Sequence, residues 1–392
     1  MGNKAATAIQ GWGTSTLSRQ AGPTIAGLAR DAVVAAVADA GLDIKAVDGL
    51  VLCQSDTLTA PELNIAFRHA LDFDTLGLLV IDEGKGTSML QTLQHAAMAI
   101  GAGQAETVVC VFSDTPIRND ISAGESFARP SNIMNLPGWE RGYGSFGAMA
   151  AYALAASAYK AKYGLGDDAF GGYAVACRNW ARLNPAAFMQ TELTIDDYLA
   201  ARFIVEPLRL LDCALPVNGA VAFVVTAADR TCESAHSPAY LHGFGQGHGR
   251  QSALTALVTG EDTAAGYATG QALAMAKLDH RDVDICQLYD AFSFSGLFAL
   301  EDFGFCERGG APGFVAAGET ALGGTLPVNT GGGQLSGFYL QGATPLLESV
   351  IQASGTGDAR QVEKHDVVFV SNSGGCLEYH ATALLSPYRV LS

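Results

Sequence analysis

The chain has 392 residues, 49% hydrophobic and 16% charged, with 46 glycines and a formal net charge of −16. Such a length and composition belong to a folded protein of two or three domain-sized units and exclude a fibrous or disordered one. The acidic balance excludes nucleic acid as partner, because phosphate binding needs clustered Lys and Arg, yet it leaves room for coenzyme A, which a few local basic groups can hold.

No run reaches the ~18 apolar residues of a membrane span. The opening residues, Met1 to Ala6, read as neither a signal peptide nor a myristoylation site. The eight cysteines (53, 110, 177, 213, 232, 286, 306 and 376) lack paired metal spacing, and several sit in apolar runs. We therefore expect buried, reduced thiols in a cytoplasmic protein, with no metal site.

In chain order, 5–11 reads as a strand, 24–40 as a helix and 48–53 as a strand. An amphipathic helix over 87–101 then feeds a strand over 106–112. This alternation predicts a mostly parallel sheet covered by helices. The plan recurs: Ala40, Leu42, Asp43, Val47, Asp48 and Leu52 match Ala276, Leu278, Asp279, Val283, Asp284 and Leu288 at a constant offset of 236. The apolar run 108–112 likewise resembles 367–370. A period this long means duplication of a fold, with halves at 1–235 and 236–392. The segment 115–218 has no counterpart and reads as an insertion, with helices over 147–163 and 167–183 and a polar run over 191–201. Insertions at the rim of a sheet commonly carry substrate contacts.

Residues 285–344 draw the rest together. An apolar strand ends at Tyr289, a helix-patterned stretch and a glycine-rich segment (323–333) follow, and Tyr339 precedes a new helix. In open α/β sheets ligands bind at the carboxyl ends of strands, which makes Tyr289 and Tyr339 the candidate chemical pair. Gly243, Gly245, Gly247 and Gly249 have a spacing unlike a dinucleotide loop and no acidic ribose partner, so they carry little.

Several motifs carry a family likeness. They are Pro-Leu-Arg-Leu-Leu-Asp-Cys-Ala-Leu-Pro-Val-Asn-Gly-Ala (207–220), Tyr-Asp-Ala-Phe (289–292) and Leu-Glu-Asp-Phe-Gly-Phe-Cys (300–306). Pro-Val-Asn-Thr-Gly-Gly-Gly-Gln-Leu-Ser (327–336) and Ser-Asn-Ser-Gly-Gly-Cys-Leu-Glu-Tyr-His-Ala (371–381) complete the set. In this order they resemble the lipid-transfer-protein (sterol-carrier-protein) branch of the thiolase superfamily over the whole chain. The resemblance implies duplicated βαβαβαββ halves in an αβαβα layering with an inserted loop domain.

The departures from that pattern inform the chemistry. By resemblance, the thiolase nucleophilic cysteine falls on Gly86 and the second cysteine on Asn372. The histidine of the Gly-His-Pro loop becomes Tyr339, and the asparagine of the Asn-Glu-Ala-Phe motif becomes Tyr289. Without a thiol there is no acyl-enzyme and no ping-pong transfer. A lone tyrosine in an apolar strand is ordinarily core with its hydroxyl satisfied; two at these positions resemble the steroid side-chain aldolases of the branch. The activity implied is retro-aldol cleavage of a β-hydroxyacyl-CoA, with coenzyme A as part of the substrate and no bound cofactor. A free tyrosine titrates at about 10, so a relay through Asp290 or water is expected. Backbone amides around Gly86, Gly374 and Gly375 would hold the enolate oxygen, and His380 and Asn372 would line the pocket. Two other readings stand beside this one: an acyltransferase with an unrecognised nucleophile, and a non-catalytic subunit of a complex. The resemblance also implies a homodimer and a small zinc-containing OB-fold partner subunit.

Overall fold

The computed structural model describes residues 3–55, 57, 71–128, 142–143, 147–230 and 236–391. Cys232, part of the insertion and the boundary between the two halves lie outside the described residues.

The first half contributes β1 (Thr7–Thr14), α1 (Ile25–Asp39), β2 (Gly49–Cys53), β3 (Leu78–Asp82), α2 (Ser88–Gly101), β4 (Thr107–Asp114) and, after the insertion, β5 (Gly219–Ala227). The insertion holds α3 (Gly147–Tyr163) and α4 (Gly171–Ala181). The second half supplies β6 (Ala239–His248), α5 (Ala265–Ala276), β7 (Ile285–Gln287), α6 (Ser293–Asp302), α7 (Ala343–Ala353), β8 (Val368–Gly374) and β9 (Tyr379–Ser386). Nine strands form one sheet in the order β7-β8-β9-β6-β1-β5-β4-β2-β3. The two halves join where Thr7, Ala8 and Ile9 of β1 pair with Leu241, Tyr240 and Ala239 of β6.

The sheet is mixed, not mostly parallel. Among the described strands only β7–β8, β2–β3 and β2–β4 run parallel. Parallel neighbours need a crossover, and these pairs are the ones that have it. The strands β8 and β9, by contrast, are joined by a short turn and so pair antiparallel, and the central pairs β1–β5 and β4–β5 are antiparallel too.

Three apolar clusters set the layering. Leu28, Ala29, Ala32, Val33, Ala36 and Val37 on α1 pack on the outer face of the first half-sheet. The side chains of α5, α6 and the insertion helices pack on the outer face of the second. Between the half-sheets lies a third core, made by Met89, Leu90 and Leu93 of α2 with Leu346, Leu347 and Val350 of α7. The result is helix, sheet, helices, sheet, helix. Of the seven described cysteines, Cys53, Cys110, Cys177, Cys286 and Cys376 are buried.

The repeat seen in the sequence is physical. One-turn helices at Ile44–Ala46 and His280–Asp282 lead into β2 and β7, and Gly49↔Val108 corresponds to Ile285↔Val368 in the sheet. Asp48 accepts from the amides of Glu106 and Thr107, as Asp284 accepts from Val367, so each aspartate fastens a strand start to its neighbour. The pairing moves the match one residue along, setting Val108 against Val368. The glycine run 243–247 is explained here as well. A Cβ at Gly243, Gly245 or Gly247 would meet the carbonyl oxygens of Ala272, Ala268 and Ala264, so the face of β6 is bare to let α5 lie close against it. Gly11 and Gly13 of β1 do the same under α1.

Candidate active site

Strand alternation sets the first tyrosine. In β7 Ile285 faces the central core and Cys286 the outer one, so Tyr289, just past the strand end, returns to the inner side. Tyr339 arrives from another direction. The loop after Val328 makes a left-handed turn at Asn329 (φ 50°), passes Gly332 and Gly333, both left-handed, and winds one π-turn over Gly333–Gly337. The backbone N–H of Tyr339 then donates to Leu215 O at 2.8 Å. The two hydroxyl oxygens come to 2.8 Å of one another, with the rings edge to face. Tyr289 is 5% exposed and Tyr339 half-buried.

Gly86 closes the third side. It begins the turn that leads into α2, and a Cβ there would sit 2.0 Å from Ser373 O and 3.0 Å from Cε2 of Tyr289. Gly374 abuts the same point: a Cβ on it would stand 3.2 Å from the Gly86 nitrogen. Gly375 continues in the left-handed region (φ 66°), with the Glu378 carboxylate over it. Asn372 is wholly buried on the inner face; its Nδ2 donates to Gly342 O at 3.3 Å, and its Oδ1 has no partner among the described residues. Tyr289, Tyr339, Gly86, Gly374, Gly375 and Asn372 thus converge where the start of α2, the end of β8 and the loop before α7 meet.

A scan against family models matches residues 245–387 to "Thiolase C-terminal domain-like". The "Steroid side-chain-cleaving aldolase" of Thermomonospora curvata is 34% identical over 94% of this chain and 95% of its own length. The "17-hydroxy-3-oxo-4-pregnene-20-carboxyl-CoA lyase" of Mycobacterium tuberculosis is also 34% identical, over 89% of this chain and 92% of its own. The chain belongs to the thiolase superfamily, in the family of these aldolases. A solved structure described as "Ltp2-ChsH2(DUF35) aldolase" superposes with a TM-score of 0.85 at 32% identity, covering 98% of each chain. Human mitochondrial 3-ketoacyl-CoA thiolase, at 12% identity and a TM-score of 0.67, shares the fold, over 97% of this chain and 98% of its own.

Two expected members of this aldolase's site point elsewhere. Alternation turns Asp290 to the side opposite Tyr289, where it is wholly buried. Its Oδ1 accepts from the Gln334 amide at 2.8 Å, and its Oδ2 faces the Tyr173 hydroxyl at 3.4 Å and the Cys177 thiol at 3.6 Å, both on α4. Burial raises its pKa to about 7, partly offset by the hydrogen bond from Gln334. Asp290 therefore ties the Tyr339 loop to the insertion, and the expected proton relay gives way to a positioning role. His380 is paired with Ser373 across β8–β9 and shares its outward face, opposite Asn372. Its Nε2 meets Leu377 O at 3.0 Å and its ring stands edge-on to Phe303, while burial lowers its pKa. This is a core histidine, and the pocket-lining role is withdrawn.

Sequence reasoning missed the second ring of residues. Asn329 accepts from the Leu288 amide at 2.7 Å and donates to the Tyr173 hydroxyl at 2.9 Å, locking the loop to the end of β7. Phe127 lies edge-on to Tyr339, with ring centres 5.6 Å apart. Tyr152 of α3 packs on Phe292 at 4.8 Å, and its pKa is raised by burial and by nearby groups that include Cys376 and Tyr339. The positive φ of Asn329 had a signal in its glycine-rich setting; the insertion aromatics had none. A cavity of about 50 Å³ lies behind the loop, lined by Asp290, Asn329, Gln334, Glu348 and Arg360 among others; neither tyrosine lines it. Among the described residues no helix is long and apolar enough to cross a membrane.

Proposed function

We propose that this chain cleaves the Cα–Cβ bond of a β-hydroxyacyl-CoA by a retro-aldol reaction, yielding a ketone or aldehyde and a shorter acyl-CoA. The observation that carries the reading is the 2.8 Å contact between the Tyr289 and Tyr339 hydroxyls, beside a Gly86 that has no room for a side chain. One tyrosine, as its anion, takes the β-hydroxyl proton. The O–H electrons become the carbonyl bond, the Cα–Cβ pair moves to Cα as a thioester enolate, and the other hydroxyl protonates Cα. Transfer across the hydrogen bond then restores the starting pair, so no outside proton is consumed. The same hydrogen bond is charge-assisted when one oxygen is ionised, which steadies the anion. Acid–base groups so placed supply rate factors of about 10²–10⁴.

The enolate oxygen would be met by backbone N–H groups at Gly86, Gly374 and Gly375, with Asn372 on the substrate side. Each such donor is worth about 10²–10³ in rate. Coenzyme A enters as part of the substrate, with no bound cofactor. The names of the two aldolase relatives support a bulky, steroid-type acyl group, and the aromatic side chains of the insertion suit one. The solved relative's description, which joins Ltp2 to ChsH2(DUF35), supports a partner subunit, and we take that partner to be a small zinc-containing OB-fold subunit. A homodimer would form at the open edge strand β3, where Leu79 and Ile81 are 41% and 39% exposed. We place the protein in the cytoplasm on its scattered, mostly buried cysteines.

The test is mass-resolved turnover of a panel of β-hydroxyacyl-CoAs, steroid ones included, with and without the zinc-containing subunit. Wild type should release paired carbonyl and acyl-CoA products, and Tyr289→Phe and Tyr339→Phe should not. Acyl exchange from an acyl-CoA without C–C cleavage would overturn the reading in favour of a transferase. Inactivity alone and with the subunit, despite CoA affinity, would make the chain a scaffold.

A further inference from the structure

Arg178 sits on α4 in the insertion, 5% exposed, and among the described residues it meets no carboxylate. Its Nε donates to Ser336 Oγ at 3.0 Å and its Nη1 to Thr191 O at 2.9 Å. Burial pulls its pKa below the ordinary arginine range. A buried cation with no carboxylate beside it is a costly way to fill space, so its hydrogen bonds must return something. Ser336 lies in the π-turn that ends two residues before Tyr339. π-turns of this kind often mark functional sites.

The segment after Arg178 grips the same loop. Asn184 Nδ2 donates to Gly331 O at 2.9 Å, Phe188 N to Gly337 O at 3.1 Å and Met189 N to Ser336 O at 3.0 Å. Elsewhere the Leu215 amide donates to Gln334 O at 2.9 Å and Leu215 O accepts from the Tyr339 amide, Asp290 accepts from the Gln334 amide, and Gln334 Nε2 donates to Gln341 O at 2.6 Å. The loop is therefore clamped between the insertion and the sheet, with Tyr339 at its outgoing end.

We propose that Arg178 is a positioning residue for the reaction: by anchoring Ser336 to the insertion it sets where the Tyr339 hydroxyl stands relative to Tyr289. This rests on the tyrosine-pair reading above. The mechanical consequence is that the insertion and the proton-transfer group move as one body, so a disturbance of the clamp changes the chemical step more than substrate affinity. An alternative in which Arg178 only fills the core predicts lost stability with unchanged turnover per folded molecule.

The experiment compares Arg178→Met, Arg178→Lys and Ser336→Ala with wild type and Tyr339→Phe, all as the full chain with the zinc-containing subunit present. Readouts are kcat, KM, the pH profile of kcat and thermal unfolding. Ser336→Ala removes the anchor point without disturbing the helix, so it remains informative should Arg178→Met fold poorly. A misplacement of about 1 Å costs roughly 10²-fold in rate. We expect kcat to fall 10- to 100-fold in Arg178→Met and Ser336→Ala, with KM within about twofold, a displaced pH profile and partial rescue in Arg178→Lys. Unchanged kcat per folded molecule in both variants, with Tyr339→Phe inactive, overturns the positioning role and leaves the tyrosine pair standing. Full turnover in Tyr339→Phe overturns both.

Discussion

The strongest consequence of the site concerns Gly86. Replacing it with alanine adds one methyl group whose carbon would stand 2.0 Å from Ser373 O and 3.0 Å from the Tyr289 ring. An ordinary carbon–oxygen approach is about 3.3–3.6 Å, so one side must retreat by more than about 1 Å. Ser373 cannot do so cheaply, because it is paired with His380 of β9 and continues a strand whose residues Val368–Val370 are held between β9 and β7. The start of α2 and the Tyr289 ring must therefore give way, taking with them the Gly86 amide and the hydroxyl pair. Overpacking of this kind costs about 1–3 kcal/mol in stability, and a shift of about 1 Å in reacting groups costs roughly 10²-fold in rate. Gly86→Ala should accordingly lose at least that much kcat while remaining folded at low temperature. Gly101, at the far end of the same helix, has nothing within 4 Å of an added Cβ, so Gly101→Ala should keep full activity. The assay is turnover of a β-hydroxyacyl-CoA by mass spectrometry beside thermal unfolding of both variants. Wild-type turnover in Gly86→Ala would refute the close packing of Gly86 on Tyr289 and, with it, the assignment of its amide to the enolate. For the same steric reason Gly86→Cys should create no thiolase, checked by the absence of acyl exchange.

Tyr289→Phe removes the hydrogen bond to Tyr339, so unfolding free energy should drop by about 1 kcal/mol while kcat falls about 10²–10⁴-fold; equal losses in the two would mark a structural tyrosine. Asp290 has its pKa raised to about 7 by burial. Its folded form holds the proton more tightly than its unfolded one, so its contribution to stability is fullest below about pH 4, is lost as pH rises and levels off beyond about 7. Asp290→Asn, which keeps an oxygen for the Gln334 amide, should flatten denaturant midpoints between pH 4 and 7; an unchanged slope sinks the assignment. Leu79→Lys with Ile81→Lys should convert a dimer to monomer in sedimentation, and a dimer that persists would move the interface away from β3.

Much of the arrangement was legible because it follows from periodicity. The offset of 236 between Leu42–Leu52 and Leu278–Leu288 survives as equivalent turns and strands, since the aspartates at 48 and 284 perform the same fastening. The tyrosine pair was legible through its place at a strand end and before a helix. What remained hidden was facing. Asp290 follows Tyr289 directly, and nothing in Tyr-Asp-Ala-Phe says that the strand is still extended there and alternates its sides. His380 likewise follows a glycine turn whose length decides its phase, and the register Ser373↔His380 was fixed only by pairing.

The insertion was hidden for a different reason, and that reason bears on how the aldolase works. Its helices are rich in alanine and weakly amphipathic, so sequence shows where they are but not what they touch. In the fold they touch the loop of Tyr339 through Arg178, Asn184 and the amides of Phe188 and Met189, and Asp290 through Tyr173 and Cys177. A segment absent from the duplicated plan thereby holds the loop of Tyr339, the proposed proton-transfer group. Tyr289 stands just past the end of a buried strand; Tyr339 stands beyond a π-turn and two left-handed glycines, on a loop that the insertion grips. On the proposed reading, the same stretch of chain shapes the acyl pocket and places the Tyr339 hydroxyl. A change in the insertion that alters the acyl pocket should therefore alter kcat as well, even when it lies far from both tyrosines.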